Sequence, residues 1–297
     1  MDIPAFSDRM SAIRRVTAAT IAVTLMSSST FAATSLINSH ASDIQVSVDI
    51  ASLLNGSLGP FSEASGYEDA THQTYDNSET FLSAAASGEA TTLGAAPTVT
   101  GLTLTSKTLT SSASGETNPI HVTASSEVEG LALTLKEAGI IPLISLGGAN
   151  NDIKSTSSAT AISSGDSVVG SSSIAGLTLD VLGVDIDLSA YANAAPNTKV
   201  VLSGLAAALT GLDITVNKQT VVTTSDSLSI LTDALDIDFT HLSLGGIVPI
   251  NTVASGDIII AESFAEVPEP AVWAELLLGF ACLGGLIRGR QRLRLAV

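Results

Sequence analysis

The chain has one cysteine, Cys282, in 297 residues. That excludes a disulfide framework, a cysteine metal site and a thiolate nucleophile in the body of the protein. Aromatic residues make up 4% and charged residues 14%, the latter well under the roughly 25% usual for soluble domains. Residues 1–33 hold three Arg and two Asp, and residues 268–297 hold four Arg and two Glu. The 234 residues between them carry no arginine, five Lys and 25 acids, a net charge of −20. Such a body has no basic face for phosphates, so nucleic acid is excluded as a partner. Anionic lipid head groups would repel it.

What is present begins with an export signal. Arg14 and Arg15 precede an apolar run from Val16 to Met26, the length of a signal h-region and too short to span a bilayer. Cleavage after Ala32 places Thr30 at position −3, whereas cleavage after Ala33 places bulky Phe31 there, so Ala32 is favoured. Met10, followed by Ser-Ala-Ile-Arg-Arg, is an alternative start that removes Asp2 and Asp8 from the basic segment. Residues 1–33 therefore read as a signal helix for the general secretory translocon and signal peptidase.

At the other end, Pro268-Glu269-Pro270 interrupts the backbone, because proline lacks a donor and restricts its predecessor. Residues 271–287 are largely apolar, with Glu275 near the start. As a helix they extend about 26 Å, close to the lower limit for a membrane span. Arg288, Arg290, Arg292 and Arg294 follow, which orients the span with the body on the non-cytoplasmic side.

Val267 to Ala281 with the trailing arginines resembles a PEP-CTERM sorting signal. Pro268-Glu269-Pro270, Trp273-Ala274, Gly279-Phe280, span and basic end occur in order, as in the proteobacterial variant with Trp-Ala two residues after the tripeptide. Glu275 and the final Leu-Ala-Val depart from that pattern. The resemblance implies a Gram-negative host, usually one making exopolysaccharide, and recognition and cleavage near the tripeptide by an exosortase-type membrane protease. The span is then transient, and the body passes to the outer envelope or outside the cell.

Between the ends, residues 34–266 alternate with period two. Ile44/Val46/Val48/Ile50, Leu212/Ile214/Val216, Leu235/Ile237/Phe239 and Val184/Ile186/Leu188 interleave with Asp, Thr, Ser, Gln and Asn. This predicts antiparallel strands with one dry and one wet face, hence an all-β, β-sandwich-like ectodomain. The apolar phase slips at Leu182-Gly183, predicting a bulge or tight turn. Gly-Leu-x-Leu recurs at 101, 130 and 176 with unequal spacing, which reads as strand openings and not as a solenoid. Residues 149–173 are mostly Ser, Thr, Gly, Ala and Asn with some charge, which reads as a mobile loop, and residues 51–54 and 136–139 read as single helical turns. The stretches 42–66 and 220–267 resemble the exported choice-of-anchor P family, whose members join a similar ectodomain to different anchors; the resemblance carries no catalytic residues over.

Catalytic signatures are missing. No Gly-x-Ser-x-Gly, His-Glu-x-x-His or phosphate-binding loop occurs, and His40, His72, His121 and His241 are isolated in sequence. Carboxylates remain. Asp185/Asp187 and Asp236/Asp238 each place two acids on one strand face, where they solvate the wet face, share a calcium ion, or form an acid/base pair. The Tyr67–Glu79 stretch is an aromatic-acidic cluster that could contact a ligand or calcium. Three functions follow: a non-enzymatic exported envelope or matrix protein needing no cofactor, a calcium- or glycan-binding surface module, and a polysaccharide-acting enzyme. The first is favoured.

Overall fold

The computed structural model describes residues 37–50, 54–68, 74–91, 99–117, 120–137, 141–161, 166–224, 227–244 and 254–268. The signal segment with Ala32 and Ala33, the predicted span at 271–287, and Glu269, Pro270, Trp273, Ala274, Gly279, Phe280 and the four tail arginines lie outside them. Among the described residues no helix is long and apolar enough to cross a membrane.

Among the described residues the protein is all-β, and its strands pair antiparallel. In chain order they are β1 (Ile37–Ile50), β2 (Leu54–Leu58), β3 (Glu63–Glu68), β4 (Thr74–Phe81), β5 (Ala84–Thr91) and β6 (Val99–Ser106). Then come β7 (Thr108–Thr117), β8 (Ile120–Glu129), β9 (Ala132–Glu137), β10 (Ile141–Gly147), β11 (Asp152–Ala161) and β12 (Ser167–Ala175). The last are β13 (Thr178–Val181), β14 (Val184–Asp187), β15 (Thr198–Lys199), β16 (Leu209–Thr223), β17 (Ser227–Leu244) and β18 (Ala254–Pro268). They form a seven-stranded sheet in the order β15-β16-β17-β18-β1-β2 with β3 also on β1, a six-stranded sheet β14-β13-β10-β9-β6-β5, and a five-stranded sheet β12-β11-β8-β7-β4.

The two smaller sheets are two halves of one meander. Five passages of the chain, β4/β5, β6/β7, β8/β9, β10/β11 and β12/β13, each give one strand to either sheet, in the same lateral order. Each passage is interrupted by one to four residues. Gly130 and Gly176, which open two of the Gly-Leu-x-Leu elements, sit at such interruptions with φ +61°, where a β-carbon would be strained. Gly101 instead lies inside β6. Asn151, 1% exposed, bridges the gap: its Oδ1 accepts the Leu131 N–H at 2.6 Å and its Nδ2 donates to the Leu131 carbonyl at 2.7 Å. The slip at Leu182-Gly183 is a two-residue hairpin with both φ positive, a type I′ turn.

The long strands of the seven-stranded sheet have a matching fault. Asn217, Ala234, Ala261 and Asp43 occupy one row across β16, β17, β18 and β1 in which the ladder pairing is skipped, and Asn217 and Ala261 have φ +53° and +55°. The buried phase inverts there. On β1, Ile37, Ser39 and Ala41 are buried on one side of the row, and Ile44, Val46 and Val48 on the other. Asp43 fixes the row: its carboxylate accepts the N–H groups of Ile44, Phe61 and Ser62 at 2.5, 2.9 and 2.7 Å. It thereby holds the junction where β1 changes partner from β3 to β2.

Each half buries different chemistry. Beyond the row toward Val48, Ile44, Val46, Ile214, Leu235, Ile237, Phe239, Ile258 and Ile260 join Leu102, Leu104, Leu133, Leu135, Ile144 and Leu179 of the six-stranded sheet in one aliphatic cluster. Toward Ile37, small residues of the five-stranded sheet meet the long sheet: Ala113, Gly115, Ala124, Ser155, Ser157 and Ala159. There, Cα atoms of β11 and β18 come within 8 Å, closer than the roughly 10 Å usual for facing sheets. At that spacing hydroxyls bond straight across. Ser157 donates to the Ser263 carbonyl at 2.8 Å and contacts Thr232 Oγ1 at 2.9 Å.

Two expectations are corrected. Residues 149–173, expected as a mobile loop, contain all of β11 and most of β12; Ile153, Ser155, Ser157, Ala159 and Ala161 alternate inward. Serine and alanine are what the close approach of the sheets requires, so a polar composition here marks a tight interface. The helical turns expected at 51–54 and 136–139 are also absent where described: Leu54 opens β2, and Lys136 and Glu137 end β9. Short 3-10 turns occur instead at Leu188–Tyr191, capped by Asp187 accepting the Ser189 N–H, and at Gly204–Ala208.

Candidate metal centre

Asp236 and Asp238 lie on β17, on the face opposite Leu235, Ile237 and Phe239, which are in the core. The register sets Asp238 opposite Asp257 of β18, and two residues of pleat place Asp236 diagonally from it on the same face. One carboxylate oxygen from each of Asp236, Asp238 and Asp257 lies within 4.8 Å of the others. The three differ in depth. Asp238 is exposed and Asp257 half-buried, while Asp236 is 2% exposed.

Around them stand further charges. Lys218 of β16 pairs with Asp236 Oδ2. Burial works against its charge, but the hydrogen bond and charge of Asp236, with Asp233 and Asp238, outweigh it and hold the ammonium above its ordinary value. Asp233, also 2% exposed, sits between Lys218 and Glu262 in the register. Burial pushes its carboxyl up to about 7, with Glu262, Asp236 and Asp257 adding repulsion and Lys218 opposing them. Asp257 rises to about 6, through burial first and then the charge of Asp236 and a hydrogen bond to it. Oδ1 of Asp233, Asp236 and Asp257 are all buried without a hydrogen-bond partner. Five carboxylates thus lie around one ammonium.

The other candidate acids are placed elsewhere. Asp185 and Asp187 are on β14 of the six-stranded sheet, exposed; Asp187 caps the 3-10 turn. Asp213, opposite Asp238, is tied to Lys199 by two contacts of 2.7 Å. The Tyr67–Glu79 stretch divides. Tyr75 wedges between Gly66 and Gly115, where added β-carbons would come within 2.0 and 2.5 Å of its ring, and its hydroxyl meets Ser39 Oγ at 2.7 Å. Packing explains it. His40 sits 3.5 Å from Glu63 and 3.9 Å from Glu262, His121 contacts Ser158, and His72 lies outside the described residues.

Sequence reasoning paired Asp236 with Asp238 by alternation but missed Asp257. Its strand reads Asp257-Ile-Ile-Ile, an unbroken apolar run without alternation, and the register to β17 is a tertiary property. An all-carboxylate donor set on adjacent strands suits a hard cation of the calcium type and offers nothing to soft metals. No family model, no curated protein and no solved structure matches the chain.

Proposed function

We propose that the chain is an exported, non-enzymatic protein of the outer envelope or extracellular matrix, with a β-sandwich-like body at 34–266. Its signal peptide enters the secretory translocon, the span at 271–287 holds it transiently at the inner membrane, and an exosortase-type protease acts at Pro268–Pro270. The observation that carries this reading is the ordered C-terminal signature from Val267 through Arg294. The body at −20, without arginine, is suited to solution outside the cell and to no anionic surface. Exopolysaccharide is the partner that the sorting signature implies.

The fold adds a constraint on processing. β1 begins at Ile37 beside the end of β18, with Asn38 opposite Glu266, and Ile37 and Val267 share one buried cluster. Both removable ends therefore attach at one end of the long sheet. Val267 is fully buried and pairs with Leu228, so cleavage that preserves the body falls at or beyond Pro268. Intact mass of the secreted protein from hosts with and without the exosortase tests the reading. The expected result is a mature C-terminus at or beyond Pro268 in the first and a retained tail in the second; identical masses overturn the sorting route.

A second reading, a calcium- or glycan-binding surface module, is favoured by the Asp236–Asp238–Asp257 group.

A further inference from the structure

We infer that Asp236, Asp238 and Asp257 form a divalent-cation site of the calcium class on the outer face of the seven-stranded sheet. An acidic cluster alone would be a solvated face, but this one is built differently at its base. Asp236 is 2% exposed and its Oδ1 has no hydrogen-bond partner. Lys218 reaches only its other oxygen. A buried carboxylate oxygen with no donor is costly. Asp257 Oδ1 is in the same condition. A cation held by one oxygen from each of the three carboxylates would supply the positive charge that the buried acids lack.

The chemistry selects the ion. All three donors are carboxylates whose ligand atoms lie within 4.8 Å of one another, a spread that oxygens around one calcium at 2.3–2.6 Å span readily. Three protein oxygens leave the rest of a six- to eight-fold shell to water, which exposed Asp238 admits. Lys218 neutralises one of the three charges, and Asp233 and Glu262 lie beside the site, so the local field still favours a dication. The inference deepens the binding-module reading. Its failure would remove that reading and leave the sorting reading, which rests on C-terminal mass, standing.

The alternative to a metal is a proton shared by Asp236 and Asp257, and the test separates the two. The full chain, chelator-stripped in detergent at pH 7.5, is melted with 10 mM calcium chloride and with sodium chloride of equal ionic strength. A dissociation constant in the 0.1–1 mM range of extracellular calcium modules raises Tm by about 3–8 °C. Asp238→Asn, at an exposed position that leaves the fold intact, and Asp257→Asn abolish the calcium rise. They leave Tm without calcium unchanged or higher, since like charge is removed. Asp185→Asn/Asp187→Asn retains the rise. No rise, an equal rise with sodium, or a rise that survives both Asp238→Asn and Asp257→Asn overturns the site.

Discussion

Replacing Asp233 by asparagine should stabilise the protein at alkaline pH. The carboxyl is 2% exposed, and burial together with Glu262, Asp236 and Asp257 raises it from 3.8 to about 7. In the unfolded chain it is an ordinary aspartate, so the folded state holds the proton more tightly. The stability contributed by this group is fully present below pH 3.8 and is lost as pH rises through about 7. Three pKa units at 1.36 kcal/mol each set an upper bound of ~4 kcal/mol on what the ionised group costs the fold at pH 8. Asparagine keeps the shape and removes the charge, while giving up the attraction to Lys218. The expected gain is about 2–4 kcal/mol at pH 8, or roughly 5–12 °C in Tm for a body of this size. By pH 4 both variants carry a neutral side chain in the folded state, and the gain falls below ~1 kcal/mol. Thermal melts of both proteins at pH 8 and pH 4, in chelator, make the comparison. A loss of stability at pH 8, or an equal gain at both pH values, would refute the reasoning, because it would mean that the carboxylate is held by donors and not stranded among acids.

Two further outcomes follow from the packing. Ser157→Ala removes the hydroxyl that joins β11 to the Ser263 carbonyl and Thr232 and should cost about 1–3 kcal/mol in urea unfolding; an unchanged midpoint and slope would show that the contact contributes nothing. Gly115→Ala places a β-carbon 2.5 Å from the Tyr75 ring and 2.8 Å from Ile37, at an expected cost of about 1–3 kcal/mol. Combined with Tyr75→Leu, the same glycine substitution should cost less than it does alone, and strict additivity of the two would contradict the wedge.

The acidic site shows how legibility in the sequence depends on strand phase. Asp236 and Asp238 stand out because Leu235, Ile237 and Phe239 interleave with them in strict alternation. Asp257 does not, because Ile258, Ile259 and Ile260 follow it without a break: Ile258 and Ile260 enter the core while Ile259 faces outward beside Asp236. Residues 149–173 fail in the other direction. Their composition is that of a loop, yet the small side chains are the ones that two sheets in close contact can accept.

The sequence by itself determined that the body is all-β, that its strands have one aliphatic face, and that its acids have almost no basic counterweight. Period two and composition are local properties, and they survive in any arrangement of the strands. Only the tertiary structure decided the rest. The row Asn217–Ala234–Ala261–Asp43 inverts the phase of β1, β17 and β18 and hands one half of each to an aliphatic core and the other to a serine-alanine interface. The same register sets Asp257 against Asp238 and buries Asp236. Pairing joins residues far apart in the chain, so no window of sequence contains it, and the environment that raises Asp233 and Asp257 exists only once β16, β17 and β18 lie side by side.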